Sequence, residues 1–101
     1  MTNDRNIHDR DARIERWDAL PTDHPMPLIA RQRIIGDHVM VSRVTLEPGF
    51  FVPAHHHPNE QFVVVMSGHA RFTIGAAGSP QFREVEVRGG DVLVLPPHVP
   101  H

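Results

Sequence analysis

Proline and glycine punctuate this sequence too often for long helices to form. Its 101 residues include ten prolines and seven glycines, set mostly between short apolar runs. Proline removes a backbone donor and fixes φ, and glycine supplies the φ values that tight turns require. Such signals recur about every eight to twelve residues here, the spacing of short strands in a sandwich or barrel. The expected fold class is therefore all-β.

Between the turns, the runs alternate with the period of a strand. Leu28 to Ile35 reads as a first strand, and Gly36-Asp37-His38 as a turn. Val39 to Leu46 follows, with Met40, Ser42, Val44 and Leu46 as its more apolar set and the one expected to face a core. After Pro48-Gly49, residues 50–57 are extended, with Pro53 tolerable only at an edge or bend. Further strands are expected at Gln61–Met66, His69–Ile74, Gln81–Val87 and Val92–Leu95. Ala70, Phe72 and Ile74 share one face, as do Arg83, Val85 and Val87. Phe50, Phe51, Phe62 and Phe72 are expected in the core. Residues 75–80 (GAAGSP) form a flexible loop. At the N-terminus, residues 1–16 are polar and read as a mobile arm. Trp17 and Leu20 are the first apolar anchors, and Pro21, Pro25 and Pro27 make the following stretch extended. Residues 1–27 are thus a lead-in, and residues 28–101 one β domain.

Composition excludes several classes of function. The net charge is −2 with histidines neutral, which gives no electrostatic basis for binding nucleic acid or an anionic membrane. All ten basic residues are arginine, so a lysine Schiff base is impossible. The chain has no cysteine, which excludes disulfides, thiolate metal sites and a thiol nucleophile. No apolar stretch resembles a secretory signal or a membrane span. A cytoplasmic location is the default expectation.

The chemistry gathers in two stretches. In the first, three consecutive histidines precede Pro58-Asn59, Glu60 and Gln61. On an extended chain His55 and His57 project to one side, with Cα atoms roughly 6–7 Å apart, and His56 to the other. Two imidazoles at that separation can share one cation, with metal–nitrogen bonds of about 2.0–2.1 Å. Gln61 can add an oxygen ligand, and Glu60 competes for that role. The second stretch, Gly90 to His101, offers His101 as a fourth ligand after Pro96-Pro97. His55, His57, Gln61 and His101 form a neutral set suited to one divalent first-row ion, without choosing among Fe, Mn, Ni, Co, Cu and Zn. His98 reads as a turn residue, and His8, His24, His38 and His69 as exposed. Arg43 and Arg71 sit mid-strand, most simply on a solvated face; a sharper reading has one of them pairing with a substrate carboxylate.

The two stretches together resemble the cupin superfamily. Its first motif, G-x5-H-x-H-x3,4-E-x6-G, is matched by Gly49, His55, His57, Gln61 and Gly68, with glutamine in place of glutamate. Its second, G-x5-P-x-G-x2-H-x3-N, is matched by Gly90, Pro96 and His101, with His98 where glycine is usual. The resemblance spans residues 28–101 and implies a double-stranded β-helix, or jelly-roll, barrel. Cupin domains normally continue for a strand or two beyond the second motif, so the barrel is expected to be truncated at its C-terminal end.

Within the superfamily, the chain is similar to small single-domain cupins of the pectin-degradation type, which convert unsaturated uronates to linear keto sugars. Shared features are the P-x-H-x-H run, the Glu60-Gln61 pair, the Ser67–Gly75 stretch and the GDVL-x2-PP-x3-H ending. That resemblance implies a metal acting as a Lewis acid on a sugar-acid-like small molecule. Alternatives are a dioxygenase resembling quercetinase-like or thiol-dioxygenase cupins, and a non-enzymatic small-molecule-binding module. Resemblance also implies a homodimer, with Trp17, Leu20 and the proline-rich lead-in as candidate contacts.

Overall fold

The computed structural model describes residues 12–101. Its regular elements are one short 3-10 turn, Trp17–Ala19, and seven strands: β1 (Asp23–Met26), β2 (Ile29–Ile35), β3 (Met40–Leu46), β4 (Gln61–Val64), β5 (His69–Ile74), β6 (Arg83–Arg88) and β7 (Val92–Leu95). The class is all-β, as the turn spacing predicts. The chain divides between Val52 and Pro53 into two compact units. Among the described residues no helix is long and apolar enough to cross a membrane.

The first unit is an antiparallel sheet in the order β1-β2-β3. The β2–β3 register runs unbroken from Ile29 opposite Leu46 to Ile35 opposite Met40. β1 lies in what the sequence presents as lead-in, and its Pro25 is tolerated because the strand is at the sheet edge. Pro27-Leu28 turns β1 into β2, with Leu28 at φ 67°. Proline followed by a left-handed residue is the type II pattern, here without the usual glycine.

One face of this sheet carries the Trp17 segment. The Gln32 side-chain amide donates to the carbonyls of Trp17 at 2.7 Å and Leu20 at 3.1 Å. The Arg43 guanidinium lies 5.8 Å from the Trp17 ring centroid, a cation–π distance. The opposite face carries Asp23, which accepts two bonds from Arg31 at 3.0 Å each and one from Arg33 at 3.3 Å. The Arg31 hydrogen bond, opposed by partial burial, holds the Asp23 carboxyl below its ordinary value. Met40, Val44 and Leu46 share this second face and are exposed, so the set expected to face a core does not. Of the unit's described residues only Ile29, opposite Leu46 at the end of that face, is buried.

Residues 1–11, including His8 and most of the expected mobile arm, lie outside the described residues. Arg13, near the end of that arm, donates to the Ile35 carbonyl at 3.0 Å and to Glu15 at 2.9 Å.

In the second unit β4 pairs with β7, and β5 with β6, both antiparallel. Ala70, Phe72 and Ile74 lie opposite Val87, Val85 and Arg83 on one face of the β5–β6 hairpin. This is the alternation read from the sequence. The other face is charged: Arg71 pairs with Glu84 and Arg88 with Glu86, each at 3.6 Å. Ile74, Val87 and Leu95 are the buried hydrophobic side chains, with Leu95 only 1% exposed. The phenylalanines depart from expectation. Phe50 and Phe72 are half-buried, while Phe51 is 73% and Phe62 60% exposed. For Phe62 the cause is parity: Gln61 opposes Leu95 on the inward face of β4, so its neighbour Phe62 must point outward. Phe51 lies in an extended stretch outside any strand.

Candidate metal centre

Two backbone segments of the second unit bring the histidines together. His55 and His101 exchange reciprocal backbone hydrogen bonds of 3.0 and 2.9 Å, and the His98 amide donates to the His57 carbonyl at 2.8 Å. Residues 55–57 and 98–101 are thus laced side by side, as in an antiparallel ladder. The Gly75 amide donates to the Pro100 carbonyl at 2.8 Å, which ties the histidine-bearing segment to the β5–β6 hairpin. His98 makes its turn at φ 68°, where glycine would be unstrained.

The three imidazoles are oriented in the same way. Nδ1 of His55 lies 3.1 Å from the Pro53 carbonyl, Nδ1 of His57 2.8 Å from that of Asn59, and Nδ1 of His101 2.9 Å from that of Val99. A carbonyl can only accept, so each Nδ1 carries a proton, and in a neutral ring that leaves the lone pair on Nε2. The ring centroids stand 4.5 to 5.7 Å apart, and one ligand atom from each histidine lies within 4.8 Å of the others. That is close to the span of two metal–nitrogen bonds of about 2.0–2.1 Å.

Two further observations fit a cation at this point. Nε2 of His101 is buried and has no hydrogen-bond partner among the described residues. Nε2 of His57 stands 3.0 Å from Oε1 of Gln61, which brings a nitrogen and an oxygen donor atom close enough to serve one cation. The His101 imidazole is held below its ordinary pKa, first by burial. The bond to the Val99 carbonyl opposes that shift, and His55 and His57 add to it. A neutral imidazole is the form that binds metal.

Gln61, at the start of β4, is therefore placed beside the histidines, whereas Glu60 is exposed. His56, His24, His38 and His69 are exposed. Arg43 is engaged with Trp17, and Arg71 sits on the solvated face with Glu84. In the second unit, an arginine that does line a cavity is Arg83. With Gln81, Ile74, Val85, Leu93 and Val99, it borders a space of about 240 Å³. The signal was present in the sequence, since Arg83 alternates in phase with Val85 and Val87.

Comparison with known proteins bears on the whole arrangement. A search of curated proteins found no match. The family model of the cupin domain matches residues 42–101, more than half of the chain, and includes all four candidate ligands. With an all-β fold and a convergent histidine triad, the chain belongs to the cupin family.

Proposed function

We propose that the protein binds one divalent transition-metal ion through His55, His57 and His101, with Gln61 as the oxygen ligand. The observation that carries this reading is the common orientation of the imidazoles, each Nδ1 at a backbone carbonyl, which leaves Nε2 as the coordinating atom. Hydrogen bonds of that kind set the tautomer and ring angle of metal-binding histidines.

The ligand set points to the role. Three imidazoles and an amide carry no charge, so a bound divalent ion would act as a full-strength Lewis acid toward an oxygen of a small substrate. The chain's own residues hold the rings through backbone carbonyls, burial holds the His101 imidazole below its ordinary pKa, and Leu95, opposite Gln61, lines the inward side of β4. Together with the resemblance at Ser67–Gly75 and Gly90–His101, this supports an enzyme acting on a sugar-acid-like molecule.

The test is metal content per chain by plasma mass spectrometry at pH 7.5, on the wild type and on His57→Ala. About one equivalent in the wild type, lost in the variant, is expected. Equal content in both proteins would refute the site. Turnover of an unsaturated uronate by the loaded protein, without oxygen uptake, would support the Lewis-acid role. Oxygen consumption would overturn it in favour of a dioxygenase.

A further inference from the structure

The second unit holds three arginines among its residues, and they are not equivalent. Arg71 and Arg88 sit on the charged face of the β5–β6 hairpin and pair with Glu84 and Glu86. Arg83 lies on the opposite face, in register with Ile74 and in phase with Val85 and Val87. The hairpin glutamates project away from it. Arg83 has no ion-pair or hydrogen-bond partner among the described residues, and neither has the side chain of Gln81. Both are exposed and border an open cavity of about 240 Å³, whose remaining walls are apolar side chains and glycine.

We infer that this cavity binds a small amphipathic carboxylate, with its hydrocarbon part against Ile74, Val85, Leu93 and Val99 and its carboxylate on Arg83. Charge complementarity selects the head group. A guanidinium with no internal carboxylate presents a planar fork of donors that matches two carboxylate oxygens, and Gln81 adds an amide donor. The apolar walls select the body, as in small-molecule sites where a few polar groups fix orientation. Volume limits the size. The space equals roughly eight waters of liquid, which suits a chain of about six carbons and is too small for a drug-sized ligand. The site does not require a metal, and none of its lining side chains is a candidate metal ligand.

Isothermal titration with hexanoate at pH 7.5 tests the inference, with hexan-1-ol as the uncharged probe. Titrations use the wild type, Arg83→Gln, Arg83→Lys, Arg71→Gln and His57→Ala, each checked for native circular dichroism. The expected result is saturable hexanoate binding to the wild type, weakened about tenfold or more in Arg83→Gln. Arg83→Lys should recover part of that loss. Arg71→Gln and His57→Ala should bind as the wild type does, and hexan-1-ol should not distinguish Arg83→Gln from the wild type. Hexanoate binding that survives Arg83→Gln but vanishes in His57→Ala would place the anion on the metal and overturn the inference while leaving the metal reading intact. Equal losses in Arg83→Gln and Arg71→Gln would reduce it to general surface charge and overturn it, as would no saturable binding to the wild type. Arg83-dependent binding to a protein that carries no metal would uphold this site and refute the metal reading alone.

Discussion

Replacing Gly75 by alanine should destabilise the protein far more than the same change at Gly78, and should also weaken metal retention. Both glycines have positive φ, 91° and 80°, and both lie in the β5–β6 connection. A left-handed conformation costs a residue with a Cβ about 1–2 kcal/mol, so both variants carry that term. They differ in what the new Cβ meets. At Gly78 nothing lies within 4 Å, whereas at Gly75 the Cβ would sit 2.8 Å from the Gln81 carbonyl oxygen and 2.9 Å from its carbon. Those are backbone atoms of the same hairpin and cannot swing aside. Relieving the overlap means moving the chain, which brings Gly75→Ala to about 3–4 kcal/mol in total.

Against a total stability of about 5–15 kcal/mol for a domain of this size, that is a large share. At about 4–8 °C per kcal/mol, Tm should fall by more than ~12 °C in Gly75→Ala and by ~4–16 °C in Gly78→Ala. Urea unfolding with chelator present measures the difference without any contribution from bound metal. Midpoints that place the two variants within about 0.5 kcal/mol of each other would refute the steric argument. The second readout is functional. The Gly75 amide holds the Pro100 carbonyl next to His101, so Gly75→Ala should release metal to a competing chelator more readily than Gly78→Ala. Equal release would show that this tie does not position His101.

Two further predictions concern the imidazole cluster. Because the folded-state pKa of His101 lies below its ordinary value of 6.5, the unfolded chain takes up that proton first as pH falls. The stabilisation is fully present above about pH 6.5 and is lost as pH falls through the lower folded value. In metal-free protein the Tm difference between wild type and His101→Gln should therefore shrink between pH 8 and pH 5.5; a constant difference would refute the assignment. Gln61→Ala should lose metal to a chelator at about tenfold lower concentration than the wild type, and Gln61→Glu should hold it more tightly, since a carboxylate adds charge to an otherwise neutral set. Wild-type retention in Gln61→Ala would remove Gln61 from the ligand set.

What the sequence made legible follows from the range of each signal. Turn residues and strand periodicity are local, and they placed β2 to β7 to within a few residues. Motif spacing reached further and picked out His55, His57, Gln61 and His101 across the whole second unit. Burial is a property of tertiary packing, and there the sequence misled: the apolar set of β3 is exposed, and Phe62 points outward because Gln61 must point in. β1 was hidden because its Pro25, like the flanking Pro21 and Pro27, marks extended chain equally well inside or outside a sheet. Arg83 was visible as an in-phase arginine, but only the pairing of Arg71 and Arg88 on the other face shows that, of the second unit's arginines, it is the one with no carboxylate partner among the described residues.

The prolines that rule out helices also explain how a site can be built largely on backbone outside the regular strands. Residues 55–57 and 99–101 lie outside the strands, so the long ladders of a sheet do not hold them. Proline restricts the residue before it to extended conformations. Pro58 does this for His57, and Pro100 does it for Val99, whose carbonyl fixes His101. Pro53 supplies the carbonyl that fixes His55. Each restriction removes freedom from the unfolded chain as well as from the folded one, so less entropy is lost when the three rings converge. The reciprocal bonds between His55 and His101 then need only set the register of two segments whose conformations the prolines already restrict. On this argument proline density and the candidate metal site are linked: the residues that make the chain all-β also pre-form the backbone that carries His55, His57 and His101.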